Sequence, residues 1–301
     1  MAVIEVEGLR KSYGPAEVLH GVSFTVQEGE VVAVLGPNGA GKTTTVEIME
    51  GYRTRDAGSV KVLGLDPATG GTELRQRIGI VLQECGFDQD LTVNEMLQMH
   101  AEFYRHPRSV DEVVTLVGLE EKRKSRVKTL SGGQKRRLDV ALGLIGDPEL
   151  LFLDEPTTGF DPTARRQAWD VVRNLAALGK TVLLTTHYLD EAEALADRVL
   201  VFAAGKIVAE GSPETIGGRA SAATEIRFVL PPGATVEQLP VPATLADGVA
   251  TVSTASPTSA LHLLTGWALD KHGELEQLTV TRPSLENVYL ALTGDAEEKG
   301  S

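Results

Sequence analysis

The sequence predicts an α/β protein whose larger first part is built on a parallel sheet, followed by a smaller α+β part. Three observations lead to this prediction. Unbroken apolar runs at 31–35 and 150–153 are typical of buried parallel strands. Helical spacing follows them, from Thr43 and from Pro162. After a stretch of small residues near position 220 the composition changes, and short strands alternate with helices.

A glycine-rich loop joins the first apolar run to its helix. It reads Gly36-Pro37-Asn38-Gly39-Ala40-Gly41-Lys42-Thr43-Thr44 and matches the phosphate-loop pattern G-x-x-x-x-G-K-S/T. Gly36, Gly39 and Gly41 are expected to adopt unusual dihedral angles, so that backbone N–H groups reach a triphosphate. Lys42 would contact the β- and γ-phosphates, and the Thr43 hydroxyl would hold Mg²⁺. With Lys and Thr both present after a strand, a turn that only caps a helix is the weaker interpretation. The sequence therefore predicts a P-loop nucleoside triphosphatase.

The second apolar run ends in two carboxylates, Asp154 and Glu155. Nucleotides bind at the carboxyl edge of open α/β sheets, which is where this pair would emerge. Because strand side chains alternate, Asp154 would face the metal and Glu155 an attacking water as general base. The alternative is that the pair merely ends the strand and caps the next helix.

Ser131 and Gln134 have the spacing of a capping box at the start of a helix. Capping explains these two residues but not Gly132 and Gly133 between them. The glycines expose N–H groups at a helix N-terminus, which creates a second candidate anion site. One chain cannot easily bring both sites onto one phosphate, but two chains can.

Leu130 to Gln134 resembles the signature of the ATP-binding-cassette (ABC) ATPases, and further family elements follow in the family's order over about residues 1 to 217. Tyr13 is similar to the aromatic residue that stacks on adenine, and Gln83 to the Q-loop glutamine. Asp161 resembles the D-loop carboxylate, and His187 the switch histidine.

Three of these residues have an alternative interpretation that remains open. Tyr13 precedes Gly14-Pro15 and could be an aromatic side chain that packs at a turn. Gln83 could be an amide at the end of a strand that hydrogen bonds to a loop. His187 could only cap the helix that starts at Leu189.

The resemblance implies a mechanism with two copies of the cassette. ATP would lie on Tyr13 and the phosphate loop of one copy, closed in by Ser131, Gly132 and Gly133 of a second copy or a homologous ATPase subunit. Gln83 would contact Mg²⁺ and the attacking water. Glu155 would polarise that water, and His187 would hold the γ-phosphate. The resemblance also implies a transmembrane permease subunit on a separate chain.

Composition fits a soluble motor subunit. The chain has 301 residues, is 42% hydrophobic and has a net charge of −13, which argues against general nucleic-acid binding. No apolar run reaches the roughly twenty residues that span a bilayer, and no signal pattern opens the chain. A single cysteine suits the cytoplasm. We therefore expect a peripheral protein on the cytoplasmic side of the cell membrane.

The expected organisation is an ABC ATPase domain at 1–217 and, after a linker at 218–223, an α+β domain at 224–294 for regulation or dimerisation. The first domain contains a P-loop NTPase core, an antiparallel side sheet that includes Ala2 to Glu7 and Val18 to Val26, and a helical arm at about 84–146. A disordered tail would follow at 295–301.

Residues 282–290 resemble the closing motif of the ABC ATPases of the daunorubicin-resistance export group. A helix with a proline at its start and apolar residues inward explains the same segment. On this resemblance the leading expectation is the ATPase subunit of a drug or natural-product exporter. The alternatives are a lipid or polysaccharide exporter, an importer, a soluble ABC ATPase that acts on ribosomes or DNA, and a P-loop kinase or GTPase.

Overall fold

The protein is described from a computed structural model that covers residues 1–81, 86, 88–221, 223–281 and 285–290, with only the backbone described at 219–221. In chain order, the strands are β1 (Ala2–Tyr13), β2 (Ala16–Gln27), β3 (Val31–Leu35), β4 (Ala57–Val62), β5 (Ile78–Val81), β6 (Leu150–Asp154), β7 (Thr181–Thr186), β8 (Arg198–Ala203), β9 (Lys206–Gly211), β10 (Thr224–Val229), β11 (Thr244–Ala246), β12 (Val249–Thr254) and β13 (Thr279–Thr281). The α-helices are α1 (Lys42–Met49), α2 (Pro67–Arg75), α3 (Val93–Ala101), α4 (Val110–Leu116), α5 (Gly132–Leu144), α6 (Pro162–Ala177), α7 (Leu189–Leu195) and α8 (Pro257–Lys271). Residues 285–290 are also helical.

The central sheet has the strand order β5-β6-β7-β3-β8-β9. Neighbouring strands pair in parallel from β5 to β8, and β9 pairs antiparallel with β8. All five residues of β3 are buried, as are the first four of β6, because helices and a second sheet cover both faces. The predicted α/β fold with a parallel sheet is confirmed.

A three-stranded antiparallel sheet with the order β2-β1-β4 lies against the central sheet. Strand β1 extends six residues past the alternating segment that predicted it, whereas β2 is longer by only two residues at its start and one at its end. The register between them shifts at several points, including next to Leu9, and these irregularities interrupt the alternation that identifies a strand in the sequence. Apolar side chains of both sheets, such as Leu9, Val26, Phe152 and Phe202, form one core.

The helical arm contains α3, α4 and α5, which pack on one another through buried apolar side chains such as Leu97, Val113 and Leu138. Helix α5 also contacts β5, and no side chain separates the two elements at Gly79 and Gly143. A Cβ atom built on Gly79 would lie 2.1 Å from the carbonyl oxygen of Gly143. Helix α5, which follows Ser131, therefore packs directly against β5, the strand that precedes Gln83 in the sequence.

The described chain divides into two compact units between Pro213 and Glu214. The second unit has an antiparallel sheet with the order β11-β12-β10-β13, and α8 buries Leu264 against Ile226 and Phe228. In the boundary region, the 3-10 segment Ile216–Ser221 is interrupted by a kink at Gly217 and Gly218, whose φ angles are positive. The domain limits predicted from the sequence, including the linker at 218–223, remain predictions. The predicted tail and residues 282–284 of the closing motif lie outside the described residues.

Among the described residues, none of the helices combines the length and the apolar character that are needed to cross a membrane.

Candidate active site

The three central strands β3, β6 and β7 are parallel neighbours, so the residues that follow them meet at one edge of the sheet. The phosphate loop follows β3, Glu155 follows β6, and His187 follows β7. This edge is where open α/β sheets bind nucleotides. The order of the strands therefore brings the phosphate loop close to two residues that lie more than a hundred positions further along the sequence.

The phosphate loop uses its glycines for two different purposes. Gly39 and Gly41 have φ angles of 81° and 100°, as predicted. Gly36 does not adopt a positive φ, so the prediction of unusual dihedral angles is wrong for this residue. A Cβ atom at Gly36 would lie 2.5 Å from the carbonyl oxygen of Phe202 on β8. Glycine is required there because two strands approach closely.

Lys42 lies at the start of α1 with its ammonium group turned onto the phosphate loop. Its Nζ donates hydrogen bonds to the carbonyl oxygens of Gly36 at 2.7 Å and Pro37 at 3.1 Å. Burial lowers the pKa of Lys42, and the nearby carboxylates of Glu155 and Asp154 act in the opposite direction. The structure thus holds a buried cation and two carboxylates at the same edge of the sheet.

A cleft of about 520 Å³ lies over this edge. The phosphate loop and α1 line one side, and Glu155, Thr158 and His187 line the other. The loop residues that take part are Asn38, Gly39, Gly41, Lys42, Thr43 and Thr44. Val18 and Thr158 also line the cleft; sequence reasoning missed both because neither has a motif of its own.

Glu155 lies beyond the end of β6 in the left-handed region of the backbone, with φ 44°. A non-glycine residue rarely adopts this conformation. Its N–H donates to both the backbone oxygen and the hydroxyl oxygen of Thr185, each at 3.1 Å. Strand alternation predicted that the side chains of Asp154 and Glu155 point in different directions. In the structure, the change of backbone conformation at Glu155 directs its side chain into the cleft.

The carboxylate of Glu155 contacts His187 and Thr158 in the cleft. Oε1 lies 3.1 Å from Nδ1 of His187, and Oε2 accepts a hydrogen bond from the Thr158 hydroxyl at 3.0 Å. The carboxylate of Asp154 accepts a hydrogen bond from the hydroxyl of Thr185 instead. The two adjacent carboxylates therefore have different hydrogen-bond partners.

Arg136, on the buried side of α5, holds the backbone around Glu155. Its guanidinium donates to the carbonyl oxygens of Pro156 at 3.0 Å, Asp154 at 2.9 Å and Glu155 at 3.3 Å. Arg136 is only 7% exposed, and a buried guanidinium of this kind needs partners. Sequence reasoning missed this residue; the available signal is an arginine at a position of α5 that the helical period turns inward.

Ser131, Gly132, Gly133 and Asp161 lie together in a second cleft, of about 790 Å³, which the phosphate loop does not line. The predicted capping box is present: the Ser131 hydroxyl accepts from the N–H of Gln134, whose side chain accepts from the N–H of Ser131. Asp161 is the N-cap of α6 and accepts from the N–H groups of Thr163 and Ala164.

The predicted adenine contact, Tyr13, is not among the residues that line the first cleft. It lies at the end of β1 and is 42% exposed, and Arg53 lies over its ring at 5.5 Å from the centroid. Gln83 lies outside the described residues. The structure thus brings together the phosphate loop, Glu155 and His187, and separates them from Ser131, Gly132, Gly133 and Asp161.

The donors present suit a hard divalent cation. Thr43 offers a hydroxyl oxygen in the cleft, and Asp154 offers a carboxylate at the adjoining strand end. Oxygen ligands in small number, completed by water and phosphate, are what Mg²⁺ prefers. The fold and this cleft define a P-loop ATPase of the cassette type, with the phosphate loop and the segment Ser131 to Gly133 in separate clefts of the same chain.

Comparisons with known proteins agree with this class. Residues 19–158 match the family described as ABC transporter, and residues 224–284 match a C-terminal domain described as ABC transporter domain-containing protein-like. The chain is 40% identical over 97% of its length to the daunorubicin resistance ATP-binding protein DrrA3 of Streptomyces coeruleorubidus, of which 96% is covered. It is 38% identical to Nod factor export ATP-binding protein I of Paraburkholderia xenovorans, with 97% of each chain covered.

Two solved structures show the same fold. An ATP-binding subunit of an ABC transporter is 28% identical with a TM-score of 0.64, and the match covers 70% of this chain and 90% of that one. A bacterial ABC transporter cassette solved as a dimer is 26% identical with a TM-score of 0.61, and the match covers 69% and 98%. The protein belongs to the ABC transporter family, as an ATP-binding and ATP-hydrolysing subunit.

Proposed function

We propose that this subunit powers the export of a drug or another hydrophobic natural product through a separate transmembrane permease, from the cytoplasmic side of the membrane. The observation that supports a paired mechanism is the separation of the phosphate-loop cleft from the cleft of Ser131 and Asp161. Each copy carries two incomplete parts of a nucleotide site. Two copies arranged head to tail, or one copy with a homologous subunit, complete both sites.

The phosphate loop would bind the triphosphate of ATP. Gly39 and Gly41 allow the loop to point its N–H groups inward, and α1 presents its positive end. Lys42 would exchange its two carbonyl partners for the β- and γ-phosphates. Tyr13, Pro37, Asn38, Ala40 and Thr44 complete the proposed ATP contacts, with the adenine on Tyr13.

Thr43, Asp154 and Gln83 would hold Mg²⁺. When bound, this ion neutralises charge on the β- and γ-phosphates. The hydroxyl of Thr185 fixes the Asp154 carboxylate at the strand end. Asp154 is therefore held at the edge of the sheet where the ion would bind.

Glu155 would act as the general base for the attacking water. Its carboxylate is held by Thr158 and His187, and its backbone by Thr185 and Arg136. When His187 donates through Nδ1 to the ionised Glu155, its other ring nitrogen can donate to the γ-phosphate only in the imidazolium form. His187 would then stabilise the charge that develops on that phosphate.

The partner subunit would close over the γ-phosphate with its N–H groups at Gly132 and Gly133 and its Ser131 hydroxyl. Gln134 would support this surface through the capping box, and Asp161 would contribute from the same cleft. ATP binding would thereby favour the closed pair, and hydrolysis would reopen it, which is a population shift driven by a ligand.

Glu155→Gln tests this mechanism. We expect the variant to bind ATP but to accumulate as a closed dimer with MgATP, measured by light scattering during size-exclusion chromatography, with ATPase activity reduced about a hundredfold or more. Glu112→Gln, on the exposed surface of α4, is the matched control and should keep the activity. ATP turnover by Glu155→Gln at the wild-type rate, or equal turnover by a verified monomer of the wild type, would overturn the proposal.

The proposed cargo class is supported by the daunorubicin resistance relative, which aligns over both units of the chain. The Nod factor export relatives favour a second candidate cargo, a Nod factor. Cells that express this subunit with its permease should accumulate less daunorubicin than cells with Glu155→Gln. Retention of daunorubicin combined with export of a labelled Nod factor would select the second candidate. ATP-dependent sedimentation with ribosomes, without a permease, would contradict both.

A further inference from the structure

Tyr188, the residue after the candidate switch histidine, contacts His187 and Arg165 with its ring. The rings of Tyr188 and His187 lie with their centroids 4.1 Å apart and their planes tilted by 39°. The guanidinium carbon of Arg165 lies 4.3 Å from the centroid of the Tyr188 ring. The rings and the guanidinium thus form a continuous path of contacts that ends at Glu155, through its interaction with His187 Nδ1 at 3.1 Å.

Arg165 is well fixed in this arrangement. Its Nη1 donates to the carboxylate of Asp190 on α7 at 3.0 Å, and its side chain is 22% exposed. Its Nε is buried and finds no hydrogen-bond acceptor among the described residues. The Tyr188 ring and Asp190 contact the guanidinium directly, and the buried carboxylate of Glu191 interacts with its charge as well. A cation over an aromatic face is favourable when it is partly desolvated.

The path joins two helices that begin at functional residues. Arg165 lies in the first turn and a half of α6, whose N-cap is Asp161, and its N–H donates to the carbonyl oxygen of Asp161. Tyr188 is the N-cap residue of α7, directly after His187. A displacement of the start of α6 would move the guanidinium and the Tyr188 ring that it contacts.

We propose that Arg165 and Tyr188 are positioning residues for the hydrolysis reaction, which keep the His187 imidazole in the orientation that places Nδ1 against Glu155. This inference rests on the proposed roles of His187 and Glu155. It assigns to α6 a mechanical link with the switch histidine of its own chain. Ordinary packing between α6 and α7 is the alternative, and it would not depend on the chemistry of the two side chains.

Steady-state ATPase kinetics of the full chain test the link. Arg165→Met and Tyr188→Leu should each lower kcat about tenfold and leave KM for ATP within about twofold, because orientation in the transition state is lost while ground-state binding is kept. Tyr188→Phe keeps the ring and should restore most of the rate. Arg173→Met removes a cation from the same helix, where it contacts Asp170 and the carbonyl oxygen of Ala194, and should change kcat by less than about twofold.

The His187→Gln background separates positioning from packing. If Arg165 acts through His187, Arg165→Met should cause no more than about a twofold further loss in this background, because coupled residues are not additive. A further tenfold loss, or an equal loss in Arg173→Met, would overturn the proposal in favour of packing.

The imidazole proton chemical shifts of His187, assigned by their absence in His187→Gln, provide a test that does not depend on ATP hydrolysis. The Tyr188 ring should shift these resonances in the wild type and in Tyr188→Phe. The shift should be lost in Tyr188→Leu and reduced in Arg165→Met. Unchanged resonances in Arg165→Met would show that the guanidinium does not place the ring. Normal ATPase activity in His187→Gln, with the expected resonance shifts, would contradict the proposed function and not the contact path.

Discussion

The guanidinium of Arg136 donates a hydrogen bond to the backbone carbonyl of Glu155 at 3.3 Å. This bond joins helix α5 to the residue that follows strand β6 and has a left-handed backbone conformation. Two more carbonyl oxygens, at Asp154 and Pro156, accept from the same group. A rare backbone conformation persists only where its surroundings impose it, and here the surroundings include a buried fork of donors.

Arg136→Lys should therefore disturb catalysis as well as stability. A lysine cannot supply the planar set of donors, and buried carbonyl groups would lose partners. We expect the free energy of unfolding to fall by about 1–3 kcal/mol and kcat to fall more than ATP affinity. Urea denaturation and ATPase assays measure the two effects. Arg137→Lys is the control, because Arg137 donates one hydrogen bond within the described part of the chain, to the carbonyl oxygen of Gly118; an equal loss in both variants would contradict the assignment.

The two capping boxes of the helical arm offer a matched pair of variants. Ser131 caps α5 and Thr92 caps α3, each in the same reciprocal geometry. Replacement of either residue by Ala should cost about 1 kcal/mol of stability. Only Ser131→Ala should also weaken the ATP-dependent dimer of Glu155→Gln, because Ser131 faces the second cleft. Equal dimerisation of the two variants would show that Ser131 only caps the helix and does not contribute to the dimer.

Glu50 at the end of α1 gives a pH-dependent contribution to stability. Burial, followed by the nearby charges of Asp154 and Glu47, raises its pKa from 4.5 to about 8. Between these values the unfolded chain releases the proton and the folded chain keeps it, so stability falls as pH rises. Relative to Glu50→Gln, the wild type should lose about 2 kcal/mol between roughly pH 6 and pH 8 in urea denaturation. A difference that stays constant with pH would show that Glu50 is ionised in the folded state.

Two glycines should respond to alanine in opposite directions. Gly79→Ala places a Cβ atom 2.1 Å from the carbonyl oxygen of Gly143 and 3.0 Å from Pro148, so α5 and β5 must separate. We expect a loss of about 1–3 kcal/mol. Gly266 lies within α8 with no atom close to an added Cβ, and Gly266→Ala should stabilise the second unit by about 0.5–1 kcal/mol. Calorimetry of both variants measures these changes, and a stable Gly79→Ala protein would contradict the close contact.

Local patterns predicted the parts of the fold that depend on local chemistry. The apolar runs of β3 and β6 and the capping box at Ser131 are present as predicted, because strand burial and helix capping are decided within a few residues. The phosphate loop also followed from its sequence, except that the requirement for glycine at position 36 arises from Phe202 on a distant strand.

What the sequence could not predict depends on contacts between distant segments. Nothing near Arg136 indicates that its guanidinium would reach three carbonyl groups around residue 155, and nothing near Arg165 indicates a contact with Tyr188. The left-handed conformation of Glu155 is likewise imposed by its neighbours in space. The functional roles of the site residues remain predictions that the variants above would test.

Thr158 lines both clefts and binds the carboxylate of Glu155. In a head-to-tail pair those clefts would face two different ATP molecules, so this threonine would lie between the two ATP sites of the assembly. Its side chain would offer a direct route by which ATP in one site could affect Glu155 of the other. Alternating hydrolysis at the two sites would then need no longer-range conformational change.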